Sequence, residues 1–234
     1  MREQLDEIYR DGKYEQQNPT WHEEDSPWKA RQIGNLLADH NVQFKTVCEV
    51  GCGTGEILVQ LSKRFPDADF TGYEISPQAF SMATRKCDRK LKFHLKDLLK
   101  ESGAYFDVLL VIDVIEHVES YIDFIRSLKR FGGLKIFHIP LDLSVQSLIR
   151  VSPILGQRRS VGHIHYFLKD TALAALEDCG YKIIDARYTA SRLELPNQAL
   201  SSRIMATPRR LLHKVSPDLA VRVLGGYSLL VLSE

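Results

Sequence analysis

The chain has 234 residues, with 31 lysines and arginines against 30 aspartates and glutamates, a formal net charge of +1, and 44% hydrophobic residues. That length suits one elaborated domain, and the near-cancelling charge excludes both a disordered chain and a general polyanion binder, so nucleic acid is not an expected partner. Four cysteines, Cys48, Cys52, Cys87 and Cys179, form no C-x-x-C pair of a structural zinc or redox motif and read as reduced thiols of a cytoplasmic protein.

The chain opens on "MREQLDEIYRDGKYEQQ", which lacks the apolar core of a signal peptide, and no run of about 18 apolar residues follows, so neither export nor a membrane span is expected. Residues 1–43 read as a helical leader in which Tyr9, Tyr14, Trp21 and Trp28 surround charged residues. Its helix is predicted from Pro27 to His40, with Ser26 as the capping hydroxyl before a first-turn proline. From Thr46 onward short β-rich runs alternate with helical patterns, the signature of a parallel sheet covered by helices. Strands are predicted at 46–50, 69–75, 91–95, 106–112, 134–139, 181–189 and 227–233. Helices are predicted at 56–65, 121–131 and 169–180, the last closing on Gly180, and Ser76-Pro77 marks a further helix start. The fold class is thus α/β, a Rossmann-like doubly wound seven-stranded sheet forming a domain over residues 44–234. Two segments exceed that plan, 140–168 and 191–226, and long connections in a compact domain are usually functional.

The stretch "VCEVGCGTGEIL" places Gly51, Gly53 and Gly55 between a strand and a helix. Glycines there allow a tight turn and a close approach of ligand to backbone, and the following helix points its free N–H groups at the same place. A dinucleotide fingerprint would read G-x-G-x-x-G; here Glu56 stands where its third glycine belongs. Glu49, two residues before the first glycine, suits a cationic amine better than a pyrophosphate. A zwitterionic or cationic ligand is the expectation.

These residues resemble the class I methyltransferases that use S-adenosylmethionine, and in particular the small-molecule, quinone-biosynthesis-like members. The E/D-x-G-x-G-x-G motif is met by Glu49, Gly51, Gly53 and Gly55, with Cys52 inside it; "TGYEIS" supplies Glu74 and Ile75; "HLKDLL" supplies Asp97 and Leu98; and "VIDVIEHV", residues 111–118, resembles the family segment beside the cofactor. The resemblance implies that Glu74 takes the ribose hydroxyls, that Asp97 meets the adenine amino group, that Asp113 lies beside the cofactor, that the last strand is antiparallel and that S-adenosylhomocysteine is the product. It further implies a leader folded over the cofactor, with Tyr14 and Lys29 as contacts. Asp97 also reads as a helix N-cap, and Asp113, Glu116 and His117 as a helix start packed on the sheet.

Methyl transfer needs alignment, exclusion of water and, for some acceptors, removal of a proton. His163 and His165 in "GHIHYF" are the candidate bases, with Asp142 as an alternative, while Arg158 and Arg159 could hold an anionic group of the acceptor. The acids and histidines do not cluster at ligand spacing, so no metal site is expected. The expected function is methylation of a small-molecule acceptor at oxygen or nitrogen, by a monomer or homodimer. The alternatives are a non-catalytic cofactor-binding partner subunit and a nicotinamide-dependent oxidoreductase. The basic amphipathic stretch 208–223, with Arg209, Arg210, Lys214 and Arg222, could touch a membrane surface, cover the sheet edge or form a dimer contact.

Overall fold

The computed structural model describes residues 13–195 and 204–234. Seven strands, β1 (Thr46–Val50), β2 (Asp69–Glu74), β3 (Leu91–Leu95), β4 (Phe106–Ile112), β5 (Gly132–Pro140), β6 (Ile183–Thr189) and β7 (Ser228–Ser233), form one sheet in the order β3-β2-β1-β4-β5-β7-β6. The pairs from β3 to β5 are parallel, and β7 runs antiparallel to both β5 and β6. The strand order reverses between β1 and β4, which places the ligand crevice at their carboxyl ends.

Alternation along each strand builds two cores, one on each face. Cys48, Val50, Leu109, Val111, Phe137 and Ile139 face one side, while Val47, Val108, Leu110 and Ile136 face the other. Both faces are covered, so "VLLVI" at 108–112 is apolar at every position and buried throughout. The register of β1 on β4 is fixed at the strand starts by Asp107, whose Oδ2 accepts from Lys45 N at 2.7 Å and from Thr46 N at 2.9 Å.

Helices α2 (Ser26–Asp39), α3 (Glu56–Arg64) and α4 (Pro77–Thr84) cover the second face, and α5 (Tyr121–Leu128) and α8 (Lys169–Asp178) cover the first. Ile33, Leu36 and Leu37 of α2 share a core with Leu58 and Leu61 of α3, so the helical part of the leader is built into the domain. Ahead of α2 lies the short α1 (Lys13–Gln17). Segment 140–168 forms α6 (Val145–Arg150) and α7 (Ser152–Ser160), and segment 191–226 contributes α9 (Ser191–Glu194), α10 (Ala206–Val215) and α11 (Pro217–Leu224).

The two expected serine caps divide. Ser76 has extended backbone and accepts from Ala79 N at the start of α4. Ser26 does not cap: a 3-10 turn at Glu23–Asp25 feeds directly into α2, so Ser26 already has helical φ and ψ of −61° and −40° and is itself the first helical residue. Arg209, expected on a basic face, is buried and donates from Nε and one terminal nitrogen to Leu224 O, which removes one cation from the proposed membrane-facing set. No described helix is long and apolar enough to cross a membrane.

Candidate active site

A cavity of about 950 Å³ opens at the carboxyl ends of β1 and β4, between the glycine turn, the leader and the two long segments. The turn forms because Gly51 N and Cys52 N both donate to Tyr73 O of β2, at 2.8 and 3.1 Å, folding the chain back over the sheet end. Gly53 and Gly55 then take positive φ of 55° and 75°. Their surroundings differ. A Cβ on Gly53 would meet nothing within 4 Å, whereas one on Gly55 would land on Cζ and Cε1 of Phe93.

Three carboxylates from three strands converge on this turn. Glu74, at the end of β2, accepts from Gly53 N, Ile75 N and Ser76 N, each at 2.8 Å. Burial raises its carboxyl, and those N–H groups partly offset the rise. Glu49 is 2% exposed and its Oε2 has no hydrogen-bond partner among the described residues, and burial pushes its carboxyl well above the carboxylate range despite nearby Lys29. A carboxylate in that state fits a ligand that brings an ammonium group. Asp113 follows β4 at positive φ of 53° and joins a chain of polar contacts: Lys29 Nζ lies 2.8 Å from Oδ2, His138 Nδ1 2.6 Å from Oδ1, and His138 Nε2 2.9 Å from Thr189 Oγ1. Burial alone would raise Asp113, but the His138 ring and the Lys29 ammonium outweigh it and hold the carboxyl far below its usual range. Lys29, expected to meet the cofactor carboxylate, is thus engaged by Asp113.

The leader closes one side. Tyr14 lines the cavity, its ring 4.8 Å from that of Trp21, and burial raises its phenol. Trp21 and His22, both at positive φ, line the cavity and each keeps one buried ring nitrogen without a hydrogen-bond partner among the described residues. Asn18 Nδ2 donates to Ser160 O at 2.9 Å, and Trp28 Nε1 donates to Glu194 at 2.7 Å. These bonds fasten the leader to both long segments.

Opposite the glycine turn, His163 Nδ1 lies 2.6 Å from Asp142 Oδ2. Ile164 N and His165 N donate to Glu116 O, and this pairing lays segment 162–165 along the turn that follows β4. The result corrects the expectation that acids and histidines do not cluster: Glu116, His117 and His163 offer one ligand atom each, all within 4.8 Å of one another. Spacing along the chain hid this, because backbone pairing brings the third residue from 46 positions away.

Other expected residues lie elsewhere. His165 does not line the cavity; its Nε2 faces Val118 O and Glu119 O at 3.0 and 3.1 Å, and its ring packs on Tyr121. It ties two loops together. Asp97 accepts from Leu99 N at 2.9 Å as the cap of a 3-10 turn, and the Leu98 side chain is buried in the core. Neither lines the cavity. Arg158 and Arg159 sit on the exposed side of α7 and do not line it either. Cys52 and Ile75 do. His138 and Thr189 escaped sequence reading; the available signal was a histidine near the carboxyl end of an otherwise apolar strand, "IFHIP".

A family model described as a methyltransferase domain matches residues 21–186, and the chain belongs to that family, in its S-adenosylmethionine-dependent class. Among curated proteins, a norajmaline N-methyltransferase from Rauvolfia serpentina is 28% identical over 134 residues, which cover 51% of this chain and 46% of that protein. A trans-aconitate 2-methyltransferase from Deinococcus radiodurans is 34% identical over 80 residues, covering 34% of this chain and 30% of that one. The matched stretches therefore span less than half of either relative. The solved structure of magnesium protoporphyrin IX methyltransferase from Synechocystis PCC 6803, crystallised with S-adenosylhomocysteine, shares the fold at a TM-score of 0.60 and 18% identity, covering 88% of this chain and 82% of that one. The mixed sheet with an antiparallel β7 is the expected fold, and the nicotinamide alternative has no support from these relatives.

Proposed function

We propose that this protein transfers a methyl group from S-adenosylmethionine to a small-molecule acceptor, at an oxygen or nitrogen atom, and that donor and acceptor share the one cavity. The observation behind this is that the cavity runs without a break from Glu49, Gly53 and Glu74 to Asp142 and His163. Its volume of about 950 Å³ lies near the top of the range of about 300–1,000 Å³ for single ligand sites, which suits two small molecules side by side.

When bound, the cofactor supplies a methyl group already activated on a sulfonium. This chain's residues bind, orient and shield. Glu49, without a hydrogen-bond partner among the described residues, would accept from the ammonium of the methionine end, and Trp21 Nε1 and the N–H groups at the start of α3 would hold its carboxylate. Glu74 keeps lone pairs for the ribose beyond those used by backbone N–H groups, and Asp97 stays the candidate for adenine through a rotation away from its capping role. Tyr14 and Trp21 place aromatic faces along the cavity wall, where a sulfonium is favoured. The acceptor would lie against Asp142 and His163 at the other end of the cavity.

Calorimetric titration with S-adenosylmethionine and S-adenosylhomocysteine, followed by mass-spectrometric screening of acceptors, tests the reading. Micromolar binding that Glu74→Ala loses supports it. A His163→Ala variant should keep cofactor binding and lose turnover. Cofactor binding without any methylated product across a broad acceptor screen would favour the partner-subunit alternative.

A further inference from the structure

The acceptor end of the cavity holds a group that methyl transfer as outlined does not use. Glu116 is fully buried, and neither of its carboxylate oxygens has a hydrogen-bond partner among the described residues. A protonated carboxyl would leave its O–H without an acceptor, and an ionised one would leave a buried charge uncompensated.

Two imidazoles flank it. His117 Nε2 lies 3.8 Å and His163 Nε2 4.0 Å from Glu116 Oε1, with the two rings edge-to-face at 4.9 Å. Each ring is oriented from its other nitrogen: His163 Nδ1 faces Asp142 Oδ2 at 2.6 Å, and His117 Nδ1 faces Gly162 O at 3.3 Å. His163, donating from Nδ1 to the Asp142 carboxylate, presents its Nε2 lone pair, the arrangement by which proteins orient metal-bound histidines. The two segments are already stitched together by Ile164 N and His165 N on Glu116 O, so little ordering is left to do.

We propose that Glu116, His117 and His163 bind one divalent transition-metal ion of the zinc type, with Asp142 holding His163 from behind and an open coordination position toward the cavity. Two imidazole nitrogens and one carboxylate select such an ion over calcium or magnesium, which prefer all-oxygen sites. Bond lengths of about 2.0–2.1 Å set tetrahedral ligand spacings of about 3.3 Å, so the observed spacings close by roughly half an ångström to one and a half on binding. Resting on the proposed methyl transfer, the open position narrows the acceptor to compounds with an oxygen donor, a hydroxyl or carboxylate, that coordinates as it is aligned.

The test is titration of the metal-stripped full chain with Co²⁺, read by visible absorption, with Zn²⁺ competition and S-adenosylhomocysteine calorimetry alongside. Expected are a ligand-field band saturating at about one Co²⁺ per chain and its displacement by Zn²⁺. Glu116→Gln and His163→Gln should weaken Co²⁺ binding by at least about 100-fold, and Asp142→Asn, an outer partner, by about 10–100-fold. Glu116→Gln keeps the side-chain shape and removes the buried charge, so its unfolding temperature and retained binding of S-adenosylhomocysteine verify the fold. Absence of a saturable band in the parent protein, or unchanged Co²⁺ affinity in a folded Glu116→Gln, overturns the site. A Co²⁺ site that behaves as expected in a protein that fails to bind S-adenosylhomocysteine supports the metal site and removes methyl transfer instead.

Discussion

Replacing Gly53 and Gly55 by alanine, one at a time, should separate what the glycine turn does for the ligand from what it does for the fold. Both residues have positive φ, so each alanine carries about 1–2 kcal/mol of backbone strain, reduced by about 0.4–1 kcal/mol from a less free unfolded chain. At Gly53 nothing else opposes the methyl. At Gly55 the methyl strikes the Phe93 ring, which is itself packed against Gly72, where a Cβ would sit 2.5 Å from Phe93 Cδ1 and 2.6 Å from Cys52 Sγ. Overpacking of this kind adds about 1–3 kcal/mol. Urea denaturation should therefore show a loss of about 0.5–1.5 kcal/mol for Gly53→Ala and about 2–4 kcal/mol for Gly55→Ala. Calorimetry with S-adenosylhomocysteine should rank folded Gly53→Ala well below the parent, by about 5–150-fold, the equivalent of an overpacked contact of about 1–3 kcal/mol. A Gly53→Ala protein that binds as the parent does would refute the placement of the ligand against this turn.

Lys29→Met should destabilise by about 2–4 kcal/mol, below the usual cost of stripping a buried ion pair because His138 still contacts Asp113. Asp113 is depressed in the folded state, so its contribution is present above the unfolded value near 4 and is lost as pH falls below it; acid unfolding monitored by circular dichroism should begin at higher pH in Lys29→Met than in the parent. Glu49 has the opposite sign. Its raised folded value means that stability of the ligand-free protein falls as pH rises above about 4.3, so Glu49→Gln should melt higher than the parent at pH 7 yet bind S-adenosylhomocysteine about 10–100-fold less tightly. Equal melting temperatures at pH 7 would count against the unpaired state of that carboxylate. Removal of residues 1–25 takes away the Asn18 to Ser160 bond and the Tyr14–Trp21 wall and should weaken cofactor affinity; unchanged affinity would remove the leader from the site.

Period-two apolar runs and strand-ending acids made the sheet and the glycine turn legible, because both are written in adjacent residues. The strands at 46–50, 91–95 and 106–112 match residue for residue. What stayed hidden depends on pairing at a distance. Nothing near His138 announces Thr189, which reaches it from β6 across β7, and nothing near Glu116 announces His163. Ser26 misled because a capping residue is defined by where the helix begins, and the preceding 3-10 turn had already begun it. His163 and His165 were indistinguishable two positions apart in one motif; the turn after β4 takes one ring into the cavity and uses the other as a clasp on Val118 O.

The sheet order carries a consequence for assembly. β7 lies between β5 and β6 although β6 precedes it by about 40 residues along the chain, so during synthesis β5 waits with one edge open and β6 has no place to dock. Only when β7 slots in does β6 take its position, and only then can Thr189 close on His138 and complete the polar chain to Asp113 and Lys29. An emerging chain can thus build its first five strands while the polar chain from Thr189 to Lys29 is still unfinished. The exposed β5 edge in the interim is the point at which a stalled or truncated product would pair with another chain.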